Sequence, residues 1–269
     1  MSRFHTVEVS DPRFERDNLR FVTVKSAHLK GRADCSLFVP PGVEEVKDCP
    51  LVILLHGVYG SAWSWPLKTG LHIRMLEWME QGIVPPMVMA MPSDGLWGDG
   101  SGYMKHGPFD AESWIADDVP ALVRELVPAV TEQSPLFITG LSMGGYGALR
   151  LGVKYHDRFR AIAAHSSITR LAEMALFVEE DLSAYRVDDP AEEDLFLMME
   201  AAGAALPPIY FDCGTDDILI EGNRLLHKRL SNKCIKHIYA EWPGSHEWAY
   251  WERNIIRSLE FFGQNIFYK

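Results

Sequence analysis

No stretch of this chain approaches the length of an apolar membrane span. Its first eight residues, Met1-Ser2-Arg3-Phe4-His5-Thr6-Val7-Glu8, hold no apolar core of signal-peptide length. Cysteine is scarce: Cys35, Cys49, Cys213 and Cys234 lie far apart and form no C-x-x-C pair. They read as reduced thiols, and together these absences lead to the expectation of a cytoplasmic protein. Lysine and arginine are nowhere clustered, and 37 acidic side chains outnumber 26 basic ones for a net charge of −11. Nucleic acid and anionic membrane are therefore not expected as partners. No repeat or low-complexity run appears. No metal-ligand spacing is present, so no metal is expected. Gly98-Asp99-Gly100-Ser101-Gly102 does not lie between a strand and a helix, so it reads as a rim loop rather than a nucleotide site, and no cofactor is expected.

What is present is a large apolar complement, 47% of 269 residues, enough for a sizeable core. Residues 20–26 and 33–39 read as an opening antiparallel pair. Leu51–Leu55 and Met87–Met91 are unbroken apolar runs, as in strands covered on both faces. Strands at 136–139, 161–165, 209–213 and 237–241 alternate with helices near 71–81, 111–131, 218–232 and 249–262. That alternation predicts an α/β domain over 1–269 with a mostly parallel, doubly wound sheet. The rhythm lapses at about 168–206, which is acidic and expected to be mostly helical, forming a cap insertion.

Gly140-Leu141-Ser142-Met143-Gly144 follows the apolar Leu136-Phe137-Ile138-Thr139 and precedes a helix-compatible run. A serine on a tight strand-to-helix turn is pushed outward, and the helix start directs amides toward any oxyanion formed there. Such a nucleophile needs an acid and then a histidine further along. Asp216 and Asp217 both follow the strand ending at Cys213. Asp217 is the preferred acid because it completes a G-x-x-D turn, and Asp216 is expected to cap the next helix. Of ten histidines, only His246, in Pro243-Gly244-Ser245-His246-Glu247-Trp248, follows the acid at a strand end in a Gly/Pro loop. His56-Gly57-Val58-Tyr59-Gly60 follows the strand at 51–55; the backbone N–H groups of Val58 and Met143 are the expected oxyanion hole, with His56 structural. Trp63, Trp97, His165 and Trp248 are candidates for the substrate pocket.

These segments resemble the esterase D or "putative esterase" family of α/β hydrolases, across about residues 20–262. Leu54-Leu55-His56-Gly57, Gly140-Leu141-Ser142-Met143-Gly144-Gly145-Tyr146-Gly147-Ala148-Leu149, Cys213-Gly214-Thr215-Asp216-Asp217 and Pro243–Trp248 carry the likeness. The nucleophile segment is most similar to the tributyrin and feruloyl esterase branch. S-formylglutathione hydrolases typically have Ser-Gly-Leu-Thr-Cys where this chain has His-Gly-Val-Tyr-Gly. The resemblance implies an α/β-hydrolase fold, a Ser142–His246–Asp217 triad and a serine esterase of small acyl, carbohydrate-linked or aryl-linked esters. The same triad would serve an acyltransferase or an S-formylglutathione hydrolase-like thioesterase. A small-molecule ester is the expected partner, and a homo-oligomer stays open.

Overall fold

The computed structural model describes residues 2–267. In chain order the elements begin β1 (Val7–Val9), β2 (Leu19–Ser26), β3 (Gly31–Phe38), β4 (Leu51–Leu55), α1 (Ser64–Thr69), α2 (Leu71–Glu80) and β5 (Val88–Pro92). A two-stranded ribbon, β6 (Lys105–His106) and β7 (Phe109–Asp110), leads into α3 (Ala111–Ser113) and α4 (Val119–Leu126). Then come β8 (Leu136–Gly140), α5 (Met143–Lys154), β9 (Ala161–His165), α6 (Leu195–Ala202) and β10 (Ile209–Gly214). The chain closes with α7 (Ile220–Asn232), β11 (Ile238–Trp242) and α8 (Trp248–Asn265).

Nine strands form one sheet in the order β1-β2-β3-β5-β4-β8-β9-β10-β11. Pairing is antiparallel from β1 to β5. From β5 through β11 every pair is parallel. The reason lies in the apolar runs. On β4, Leu51, Ile53 and Leu55 face a layer that includes α4 and α5, while Val52 and Leu54 face α2 and α8. A strand covered on both sides needs no polar alternation, and parallel strands need helical crossovers that supply both covers. The carboxyl ends of β4, β5, β8, β9, β10 and β11 therefore open on one rim, where ligands of such sheets bind.

Two expectations are refined. The stretch 111–131, expected to be mostly helical with Pro120 and Pro128 bending or ending it locally, is helical to Leu126, and residues 114–118 form a wider turn of the π type. That wide turn absorbs Pro120 just beyond it, and Pro128 lies past the helix end. The segment 168–206 is mostly helical, as expected, but as short 3₁₀ turns at Leu171–Leu176, Leu182–Ala184, Pro190–Glu193 and Gly203–Ala205 around the single α-helix α6. Its acidic residues are the cause. Asp181, Asp189 and Asp194 each accept a backbone N–H two residues on, at 2.8–2.9 Å, and so restart the backbone every few residues.

The helix behind the candidate nucleophile is anchored by charge. Arg150 of α5 is fully buried and donates to Glu192, to Glu112 at 2.7 Å and to the Tyr103 carbonyl at 2.9 Å. Lys154 lies 2.8 Å from Glu192 and 2.9 Å from Glu112. Burial pushes the Glu112 carboxyl up, but Arg150, Lys154 and Tyr155 outweigh it and hold it at about 2. Its folded value lies below its ordinary value of 4.5. Its contribution is therefore full above that value and is lost as pH falls toward about 2. Glu112→Gln should cost about 3 kcal/mol at neutral pH, because a buried cation loses a partner. Urea unfolding should also show the variant losing less stability than the parent between about pH 4.5 and about 2.

Candidate active site

Ser142 sits between β8 and α5 with φ 54 and ψ −120. For a non-glycine residue this backbone costs on the order of 1–3 kcal/mol and must be held by its surroundings. The holding contacts are backbone on backbone. A Cβ on Gly140 would lie 2.4 Å from the Gly144 carbonyl oxygen, and one on Gly144 would lie 2.5 Å from that of His56. The Ser142 amide donates to the His165 carbonyl at 3.0 Å, tying the turn to β9.

The structure brings Ser142, His246 and Asp217 together. His246 Nε2 lies 2.9 Å from Ser142 Oγ. Its Nδ1–H faces both Asp217 oxygens at 3.0 Å, so the tautomer assigned by that carboxylate leaves Nε2 free to accept the serine proton. The Asp217 side chain is fully buried and also accepts the Leu219 amide at 2.8 Å. Asp217 thus braces the turn just ahead of α7, whose N-cap Leu219 has no side-chain cap, and among the described residues the Asp216 carboxylate meets only Thr215 Oγ1, at 3.2 Å. The reason is direction: the turn points Asp217 inward and leaves Asp216 exposed.

Val58 and Met143 are brought to one place, since a Cβ on Gly100 would meet side-chain atoms of both. Met143 opens α5, so its amide has no carbonyl one turn back. Among the described residues the Val58 amide has no recorded backbone acceptor. The loop carrying Val58 is fixed by His56, which is buried and uses both ring nitrogens. Nδ1–H donates to the Gly57 carbonyl at 2.7 Å and Nε2 accepts the Asp94 amide at 3.1 Å. Asp94 in turn accepts the amides of Leu96 and Ser101.

The four pocket candidates separate. His165 is a correction: it is fully buried and both ring nitrogens are engaged, Nδ1 on Asp212 at 3.0 Å and Nε2 on Ser258 at 2.7 Å. The β9 pleat turns its ring toward α8, where Ser258 sits. Trp248 bridges Trp65 and Trp251, and Trp251 stands edge-on to His246 at 5.0 Å. Trp97 stacks on His106 at 3.6 Å and is edge-on to Tyr185. Trp63 precedes α1 and is 44% exposed.

Sequence reasoning missed Phe177, whose ring lies 5.1 Å from that of His246. It also missed Tyr59, whose hydroxyl donates to the Phe177 carbonyl at 2.7 Å. Asp99 joins the same region: its amide donates to Glu180, and its carboxylate accepts the Glu179 amide. The segment after Thr169 is thereby strapped to the loop holding Val58. No motif marks Phe177, and only its place in the interrupted stretch hinted at a role. Among the described residues, no group of three or more His, Cys, Asp or Glu is placed to hold a metal ion. No helix there is long and apolar enough to cross a membrane.

A mostly parallel sheet with a serine at a strained strand-to-helix turn, facing histidine and carboxylate from later loops, defines the α/β-hydrolase class. The "Putative esterase" family model matches residues 26–262, and the chain belongs to that family. It is accordingly a serine hydrolase acting on carboxylic ester bonds. It is 29% identical over 226 residues to an acetyl esterase of Caldicellulosiruptor saccharolyticus, covering 77% of this chain and 81% of the relative. It is 24% identical over 228 residues to an S-formylglutathione hydrolase of Mus musculus, covering 78% of each. A solved ferulic acid esterase shares the fold, with a TM-score of 0.77 at 20% identity over 97% of this chain and 99% of that one.

Gly144→Ala should disrupt the turn, since the clash is with main chain that has no side-chain rotamer to give way. Turnover of a p-nitrophenyl ester should fall about 100-fold or more, as expected when reacting groups shift by about 1 Å.

Proposed function

We propose that this chain hydrolyses esters of small acyl groups through an acyl-enzyme on Ser142. The observation that carries the reading is the continuous path from Ser142 Oγ to His246 Nε2 at 2.9 Å and from His246 Nδ1 to Asp217 at 3.0 Å. As Oγ bonds to the ester carbonyl carbon, its proton passes to Nε2. Asp217 orients the ring and stabilises its charged form. The carbonyl oxygen becomes an oxyanion that accepts from the Val58 and Met143 amides; each such donor is worth about 10²–10³ in rate. Collapse breaks the bond to the leaving alcohol, which takes the proton from Nε2. Water then repeats the cycle: it gives a proton to His246 as it attacks the acyl carbon, and Oγ recovers a proton as the acid departs.

Small acyl groups are favoured because Ser142 is only 1% exposed and Phe177 covers His246. The acetyl esterase relative agrees with that choice. A thioester substrate is the second reading, motivated by the mouse relative named S-formylglutathione hydrolase.

On p-nitrophenyl acetate, Ser142→Ala should lose about 10³-fold or more in kcat with the fold retained. Near-normal turnover would remove Ser142 from its role. Asp217→Asn should be far more damaging than Asp216→Asn, and the opposite ranking would reverse the choice of acid. Across acetyl, butyryl and octanoyl esters, kcat/KM should fall about tenfold or more with length. A value for S-formylglutathione above that for every oxygen ester would move the assignment to a thioesterase.

A further inference from the structure

A second serine, histidine and aspartate are joined like the first but buried. His165 Nδ1 faces both oxygens of Asp212 at 3.0 Å, and its Nε2 lies 2.7 Å from Ser258 Oγ. All three residues are fully buried. Tyr210 donates to Asp212 at 2.7 Å and Tyr250 donates to it at 2.8 Å, so with the His165 ring three donors converge on one carboxylate. None of these groups takes part in the steps above.

The cluster lies between the parts that must meet. On one side, the His165 carbonyl accepts the amide of Ser142 at 3.0 Å. In the middle, the Asp212 carbonyl accepts the amide of Ser166 at 2.8 Å, where the chain leaves β9 with φ 46. On the other side, the Tyr250 ring abuts Gly244 of the His246 loop: a Cβ there would lie 2.8 Å from Tyr250 Cδ2. The Gly244 carbonyl accepts the Asp216 amide at 3.0 Å, beside Asp217. One side-chain cluster thus touches the strand behind the nucleophile, the strand leading to the acid and the helix behind the base.

We propose that Asp212, His165, Ser258 and Tyr250 form a positioning assembly that sets the separation of Ser142 and His246. This rests on the reading of Ser142 as nucleophile. Apolar side chains could fill the same volume with equal or greater stability. They would lack direction, however, and would let β9, β10 and α8 slide by fractions of an ångström. Hydrogen bonds to a shared carboxylate forbid that slide, and transfer between Oγ and Nε2 is sensitive to it. His165 and Asp212 are positioning residues; neither touches substrate.

The test uses the full chain and the variants Asp212→Asn, Tyr250→Phe, Ser258→Ala and Ser142→Ala. A fluorophosphonate that labels the reactive serine counts active sites, and kcat per labelled site and KM are measured on p-nitrophenyl acetate. Asp212→Asn should lower kcat per site by about 10–100-fold with KM changed less than about twofold. Tyr250→Phe and Ser258→Ala should give smaller losses of the same kind. Fewer labelled sites with normal kcat per site would mean a structural role alone and would overturn the proposal. If Asp212→Asn does not fold, the other two decide: a lowered kcat per site at unchanged KM supports positioning, and normal values in both overturn it. Substantial activity in Ser142→Ala would instead sink the nucleophile assignment, an outcome separable from the others.

Discussion

At Ser142 the chain turns from β8 into α5 with a backbone that an ordinary residue avoids, and the site depends on that turn being held. The hold is contact between main-chain atoms: Gly140 against Gly144, and Gly144 against the end of β4. Two glycines bring the Ser142 turn against the strand that launches the Val58 loop. The same approach therefore exposes the hydroxyl to His246 and places the first amide of α5 beside that loop. The buried Arg150 cluster then fixes α5 from behind, so the helix cannot relax away from the strained residue.

Around this turn, polar groups are partnered in layers. His56 and Asp94 satisfy the loop amides near Val58. Asp217 is shared between the His246 imidazole and the turn ahead of α7. Asp212 collects two tyrosines and His165 beneath the rim. Phe177 and Trp251 cover two sides of His246, limiting water at the imidazole while Nε2 stays directed at the serine. A water-poor setting strengthens each of these electrostatic contacts.

Much was legible in the chain before any coordinates. Unbroken apolar runs at Leu51–Leu55 and 136–139 imply strands with two covered faces, and alternation with helices implies parallel pairing. The G-x-S-x-G turn, an acid after one later strand and a histidine after the next are local patterns at strand ends. A parallel sheet gathers strand ends at one rim, so their meeting follows from topology. The choice of Asp217 over Asp216 came from turn register, which is also local.

Other features had no local signature. His165, His246 and His56 all lie at or beyond strand ends, yet one meets Ser142, one is locked to a buried aspartate and one pins a loop. Chain order singles out His246 and leaves His56 structural, but it cannot place His165, because the difference there is which way a ring points and what is packed over it. Asp212-His165-Ser258 repeats the residue types of the candidate triad, but its histidine is sealed where His246 is partly open, and its serine lies within α8 rather than on a strained turn at a helix start. Phe177 reaches His246 through an irregular segment whose course is set by aspartate caps and by bonds to Tyr59 and Asp99, not by periodicity. Pattern along the chain determined the strands, the helices and the chemistry at their ends. Packing in three dimensions decided which of those groups meets solvent and which is sealed, because access is a property of neighbours distant in sequence.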